Sequence, residues 1–228
     1  MCNNECIHFA QKYLSEEEIK GKDVLEVGSL NVNGSIRSVA SACQPASYHG
    51  VDITYGPGVD ELCDIHALVS RYGPDRYDVV ICTELLEHVR DWRSAVSNLK
   101  EVLKPNGVLL LTTRAKGFPY HGYPHDFWRF ETDDLQAIFS DFFIEALMPD
   151  PSCPGVFMKA RKMAPSTEAT VASHRLYSVL AKKRCRDITE FDTVFFRTIR
   201  YVSWKLSQHT PAVLKTKLKK VVPRWALD

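Results

Sequence analysis

Two uninterrupted apolar runs, YDVVICTE at residues 77–84 and GVLLLTT at 107–113, restrict this chain more than any other feature. A strand with one face in water alternates apolar and polar side chains, whereas a strand apolar throughout must be covered on both faces. Such strands belong to parallel sheets flanked by helices. A helix-patterned stretch does separate these two, at 92–103, stopped by Pro105 and Gly107. The alternation continues on either side. DVLEVG (23–28) and SYHGVDI (47–53) read as strands with a helix at 35–42 between them, and VDELCDI (59–65) as a short third strand before a helical turn at 66–72. Downstream, a helix at 132–139 with Thr132 as its N-cap precedes DFFIEALMP and GVFMKARK, a closing pair of strands. The expected fold is α/β, a doubly wound, mostly parallel sheet of about seven strands.

The chain divides into a core, residues 1–163, whose first 20 residues are helical, and a tail, residues 164–228, joined by the low-information stretch MAPSTEATVAS. The overall net charge of +1 conceals an asymmetry. The core holds 16 basic and 23 acidic side chains, and the tail 13 and 5. Within the tail, Ile188, Phe191, Phe195, Ile199, Val202 and Leu206 recur in steps of three and four, which predicts a basic amphipathic helix as a C-terminal appendage. Packing on the acidic core or a second subunit, as in a homodimer, is one use for it, and peripheral contact with an anionic membrane another. The first residues, MCNNECIHFAQKYL, lack the basic and apolar regions of a signal peptide, and no apolar run reaches membrane-spanning length. Seven scattered cysteines without a CxxC pair suit reduced thiols, so a cytoplasmic protein is expected.

In a sheet of this kind ligands bind at the carboxyl ends of the strands. Glu26 lies near that edge of the first strand, and Gly28 opens the turn GSLNVNG. Asp52, about 26 residues on and ending the second strand, is placed to accept hydrogen bonds from a ribose diol. This arrangement would also serve a dinucleotide. A pyrophosphate, however, requires a GxGxxG turn that brings its charge to a helix N-terminus. Here Leu30 and Val32 stand where close approach needs glycine, and a carboxylate precedes the turn. A negative Glu26 suits a ligand carrying an ammonium or sulfonium.

VLEVGS, YHGVDI and the long run YDVVICTELLEHVRDWRSAVSNLKEVLKPNGVLLLTT resemble, in order, the motifs of the class I S-adenosylmethionine-dependent methyltransferases, particularly their small-molecule, type 11-like branch. The resemblance spans residues 24–143 and implies a Rossmann-like fold, methyl-transferring activity and S-adenosyl-L-methionine as cofactor, leaving S-adenosyl-L-homocysteine. It departs from the family pattern in the glycine turn, at Leu30 and Val32. Carried over by residue, it implies that Glu26 and Gly28 lie beside the amino-acid portion, with Ser29, Asn33 and Gly34 nearby. Asp52 would hold the ribose, Ile53 pack on adenine, and Asp64 with Ile65 face the adenine amino group. Thr83 and Glu84 would line the methionine side.

Methyl transfer to an alcohol or phenol also needs a base, with histidine favoured. His88 in ELLEHV is one candidate, and on a helical turn it would share a side with Glu84, four residues earlier. The other is FPYHGYPHDFWRF (118–130), a proline- and glycine-shaped loop directly after the fifth strand. His125 beside Asp126 is the expected base pair there, and His121, Tyr123, Trp128 and Arg129 the expected acceptor-binding set. The proline and glycine between the histidines remove the helix that would align metal ligands, so no divalent metal is expected. Loops of this kind resemble those of methyltransferases in polysaccharide or natural-product synthesis, which makes a small molecule or saccharide, and first a sugar hydroxyl, the expected acceptor. An RNA or protein methyltransferase docking through the basic tail is the alternative. Nucleic acid is disfavoured by the acidic core and the lack of an NPPY-type sequence.

Overall fold

The computed structural model describes residues 3–122, 125–164 and 167–209, with side chains through Lys205. The chain opens with helix α1 (Asn4–Tyr13), capped by the Asn3 side chain on the Cys6 amide, and α2 (Glu16–Ile19), closed by a reciprocal capping box between Ser15 and Glu18. There follow β1 (Asp23–Val27), α3 (Arg37–Ala42), β2 (Ser47–Asp52), β3 (Glu61–Leu62), α4 (Leu68–Tyr72), β4 (Tyr77–Thr83), α5 (Trp92–Val102) and β5 (Leu103–Arg114). Then come β6 (Trp128–Arg129), α6 (Thr132–Ile138), β7 (Phe142–Pro149), β8 (Gly155–Lys162), β9 (Leu176–Ser178), β10 (Lys183–Cys185) and α7 (Glu190–His209).

Seven strands form one sheet in the order β3-β2-β1-β4-β5-β8-β7. Pairing is parallel from β3 through β5 and antiparallel for β8 against both β5 and β7. The expected doubly wound, Rossmann-like sheet of seven strands is therefore present, with a C-terminal helix. Its central strands feed two cores by simple alternation. Val80, Cys82, Leu109 and Leu111 join the layer that α5 and α6 cover, and Val79, Ile81, Val108 and Leu110 join the layer under α1 and α3. Complete burial of each such Leu, Ile or Val is worth roughly 1.5–3 kcal/mol. Helix α6 is capped by Glu131 reciprocating with Asp134, so Thr132 is its first helical residue and not its cap.

The segment after the linker returns to this body. Strand β9 pairs antiparallel with β6, out of the loop that follows β5, and with β10, forming a small second sheet. Leu176, Leu180, Ile188 and Phe196 are buried in the main core. Helix α7 therefore docks through Phe196 (2% exposed) and Ser203, while Phe191 (73%) and Phe195 (50%) face outward. The predicted apolar stripe is thus turned largely outward, and Phe196 and Arg200 are the α7 side chains that seat on the loop after β5, Arg200 4.5 Å from the Tyr120 ring centroid. The Leu206 side chain lies outside the described residues.

Candidate active site

The strand order reverses between β1 and β4, where ligands of such sheets bind. The turns leaving both strands meet there. Gly28 has φ +79°, a conformation that favours glycine, and a Cβ added to it would lie 3.2 Å from the Leu85 side chain. Alternation along β1 puts Glu26 on the side of α3. There it is 2% exposed, and its Oε2 accepts a 2.8 Å hydrogen bond from the Tyr48 hydroxyl. Burial pushes the Glu26 carboxyl up to about 7, against the opposing pull of Tyr48 and of Arg37. Such a carboxylate is desolvated without full compensation, and a bound cation is what would restore its charge. In this respect the residues present fit a sulfonium nucleoside with a free ammonium.

Neighbouring side chains that sequence reasoning did not pick out hold this edge. Arg37 donates to the Gly58 carbonyl at 2.9 Å and pairs with Asp60, which accepts from the Gly50 amide at 2.7 Å. The loop after β2 is thereby drawn onto the glycine turn, where the Asn31 amide donates to the Pro57 carbonyl at 2.8 Å. A Cβ at Gly50 would meet the Gly58 carbonyl oxygen at 2.4 Å, so glycine is required there for close approach. The glycines of YHG and YGPG were the available signal.

The remaining residues expected at the cofactor fall into distinct settings. Asp52 ends β2, accepting from the Leu30 amide at 3.3 Å and the Thr54 amide at 2.9 Å. Ser29 is buried, Gly34 donates to the Asn31 side chain at 3.1 Å, and Asn33 is exposed. Ile53 is 61% exposed beside the edge, whereas Ile65 packs into the core. Asp64 is turned to its own turn, accepting from the His66 amide at 2.8 Å. Thr83 is buried. Glu84 departs from expectation. Its backbone is left-handed (φ +53°), and its side chain runs inward to accept from Thr112 Oγ1 at 2.9 Å and to pair with Arg114. Burial and the charge of Glu87 raise its carboxyl. The positive φ and the 3-10 turn Leu86–His88 that follows separate Glu84 from His88, so the two share no side.

His88 instead meets Glu87, His121 and the loop after β5. Glu87 is fully buried, and its Oε2 accepts from Thr113 Oγ1 at 2.9 Å. Glu87 Oε1 lies 3.9 Å from His88 Nε2 and 3.7 Å from His121 Nε2. The opposite nitrogen of His121, Nδ1, stands 3.0 Å from Asp126 Oδ2, and the His121 amide donates to that oxygen at 2.9 Å. Burial by itself would lower the His121 imidazole, but Asp126 and Glu87 on either side outweigh it and push the group up to about 9. Glu87 is correspondingly brought down to about 2 by His121 and His88 although burial opposes this, and Asp126 is held well below the usual carboxylate range by Arg129 and His121. His121 is thus an imidazolium between two carboxylates.

This corrects the expected His125–Asp126 pair. Asp126 is 1% exposed and bound by both guanidinium nitrogens of Arg129, at 2.5 and 2.7 Å. The exposed His125 ring stands against Phe127, 5.3 Å between centroids, and it is the His125 carbonyl that accepts from His88 Nδ1. Arg129 and Trp128, each 1% exposed, are likewise removed from the acceptor-facing set. Arg129 also ties down the Phe118 and Pro119 carbonyls, and the Trp128 indole donates to the Arg90 carbonyl at 3.0 Å. Tyr123 lies outside the described residues. Glu87 was legible as a neighbour of His88, yet only the fold shows that the loop returns over it. Ligand-type atoms of Glu87, His88 and His121 all lie within 4.8 Å of one another, an arrangement able to hold a metal ion. With His121 protonated, an ion would first have to displace that proton.

A methyltransferase domain profile matches residues 3–150. Among curated proteins, the chain is 35% identical over 116 residues to the ubiquinone biosynthesis O-methyltransferase of Histophilus somni, covering 42% of this chain and 47% of that protein. The chain thus spans about half the length of the curated relatives it matches. Among solved structures, it resembles the 1,6-didemethyltoxoflavin-N1-methyltransferase of Burkholderia thailandensis with bound 1,6-didemethyltoxoflavin and S-adenosylhomocysteine. That match has a TM-score of 0.54 and 15% identity, over 69% of this chain and 78% of the other. The magnesium protoporphyrin IX methyltransferase of Synechocystis PCC 6803, with bound SAM, gives a TM-score of 0.52 and 16% identity over 68% and 77%. At such identity a shared fold fixes architecture and leaves the acceptor open. With the sheet order, the Glu26–Gly28–Asp52 edge and a profile covering most of the body all in agreement, the chain belongs to the methyltransferase domain family.

Proposed function

We propose that the protein transfers a methyl group from S-adenosyl-L-methionine to a hydroxyl of a small molecule. The observation that carries this reading is the Glu87–His88–His121–Asp126 cluster beside the β1/β4 crevice. The bound nucleoside supplies an already activated methyl on sulfur; the chain's residues have to hold the acceptor in line and take its proton. His88 is the base in this reading. Its Nδ1 donates to the His125 carbonyl, so in the neutral ring Nε2 carries the lone pair and is the atom that accepts the hydroxyl proton. Buried Glu87, within 4 Å of that nitrogen, stabilises the imidazolium that forms. His121, already charged, positions Glu87 and is no base. As the oxygen–methyl bond forms and the sulfur–methyl bond breaks, the proton passes to His88 and then to solvent.

The O-methyltransferase names of the curated relatives support an oxygen acceptor. Within that class a sugar hydroxyl and a phenol remain the two to separate. Turnover of labelled S-adenosyl-L-methionine with sugars, nucleotide-sugars and phenols tests the reading. His88→Ala is expected to lower kcat by about 10²–10⁴-fold. Equal kcat in His88→Ala and wild type would remove histidine base catalysis. Six free cysteines among the described residues support action in a reducing compartment, and no helix among those residues is long and apolar enough to cross a membrane. The outward stripe of Phe191, Val194, Phe195 and Val202 supports a contact made by α7 with a membrane surface or a second copy. Vesicle flotation and sedimentation distinguish the two.

A further inference from the structure

Between the loop after β5 and helix α7 lies a cavity of about 170 Å³ that the transfer step above does not use. Its apolar wall is Tyr120, Phe127, Leu180 and Phe196, and its polar lining His125, Asp126, Thr193, Arg197 and Arg200. The one carboxylate there is already spoken for, since Asp126 is bound twice by Arg129 and stands against His121. The cations have no such match. Among the described residues neither Arg197 nor Arg200 forms an ion pair, and the enclosed Arg200 Nη1 has no hydrogen-bond partner. Lys182 adds to the same side, its Nζ 5.2 Å from the Phe196 ring centroid. Burial, with Arg129 and Arg200 nearby, outweighs the pull of Asp126 and lowers this lysine to about 8.

We propose that this cavity seats a phosphoryl group carried by the small-molecule acceptor, with Arg200 and Arg197 as its forked donors and the aromatic wall against the adjoining ring. The inference rests on the methyl-transfer reading for the word acceptor, but anion binding is measured without it. Guanidinium forks match phosphate oxygens in pairs, and a dianion answers several cations where a carboxylate answers one. The volume is close to the roughly 150 Å³ that encloses a benzene-sized molecule, which suits one small phosphorylated group and not a polynucleotide backbone. The position follows the chemistry. His125 lines the cavity and its carbonyl holds His88 Nδ1, so a group seated there lies one residue from the proposed base.

The test is calorimetry on the full chain at low salt with phenyl phosphate, benzoate, phenol and inorganic phosphate, each with and without S-adenosyl-L-homocysteine. Phenyl phosphate is expected to bind saturably and more tightly than benzoate, with inorganic phosphate competing and phenol failing to bind. Arg200→Gln should weaken phenyl phosphate about tenfold or more, as loss of a charged hydrogen bond does. The more exposed Arg197→Gln, which packs against less, should weaken it in the same direction. Unchanged homocysteine-ligand affinity and melting temperature in both variants show that the fold is intact. Affinity equal to wild type in both variants, benzoate binding as tightly as phenyl phosphate, or a single-stranded RNA displacing the probe at stoichiometric concentration would each overturn the assignment. Phenyl phosphate binding that persists where no acceptor is methylated would sustain the site while removing the methyl-transfer reading.

Discussion

Replacing His121 by glutamine should take out a proton-linked contribution to stability near neutral pH. The side chain is 19% exposed and stands between Asp126 at 3.0 Å and Glu87 at 3.7 Å. Its folded value of about 9 against the ordinary 6.5 makes the imidazolium a stabilising species. A group whose value rises on folding stabilises fully below its unfolded value and loses that contribution as pH climbs to the folded one, here from 6.5 to 9. The interval corresponds to at most about 3 kcal/mol, with a slope of up to about 1.4 kcal/mol per pH unit. Other groups titrate nearby. Lys182, lowered to about 8, destabilises below that value, and its effect fades as pH rises toward its ordinary 10.5. The wild-type curve alone is therefore ambiguous between pH 8 and 9, and the difference between wild type and His121→Gln isolates the histidine. Urea unfolding at half-unit steps from pH 6 to 9.5 should show the two proteins separated by about 2–3 kcal/mol at pH 6.5 and converging by pH 9.5. A constant separation across the whole range would refute the imidazolium bridge and leave a packing role only.

Three further outcomes are expected. Affinity for S-adenosyl-L-methionine should fall below pH 7 by up to about tenfold per pH unit, because Glu26, raised to about 7, loses its charge there; Glu26→Gln should bind weakly with a flat profile in calorimetry. Arg129→Met should cost about 3–5 kcal/mol in denaturant unfolding, since it removes one partner of a buried ion pair and leaves Asp126 with His121 alone; a variant as stable as wild type but with a raised acceptor KM would return Arg129 to the acceptor site. Dialysis against EDTA should leave turnover unchanged, as the His121 nitrogen facing Glu87 is protonated; loss of turnover restored by one metal ion would make Glu87, His88 and His121 its ligands.

What could be read in advance followed from short-range rules. Apolar continuity in residues 79–82 and 108–111 demands cover on both faces, and that demand alone dictates a helix-flanked parallel sheet with ligands at its carboxyl edge. The acids that end β1 and β2 could therefore be located by counting. The loop at 118–130 was recognisable as a site but not solvable, because it has no period. Whether Asp126 meets His125, one residue away, or His121, five residues away, depends on Arg129 being buried beneath it. The tail shows the same limit in a helix. Steps of three and four identify an apolar stripe on α7, yet the face that docks is chosen by its partner. That partner is the loop after β5, whose Tyr120 ring accepts Phe196 and Arg200 and leaves Phe191 and Phe195 outside. Periodicity and strand-end chemistry, both properties of neighbours along the chain, determined the sheet and its acidic edge. Charge partners and docking faces join residues distant in sequence, and only their convergence in three dimensions, where burial makes an unpaired charge costly, decided that His121 is the bridged histidine and His125 is not.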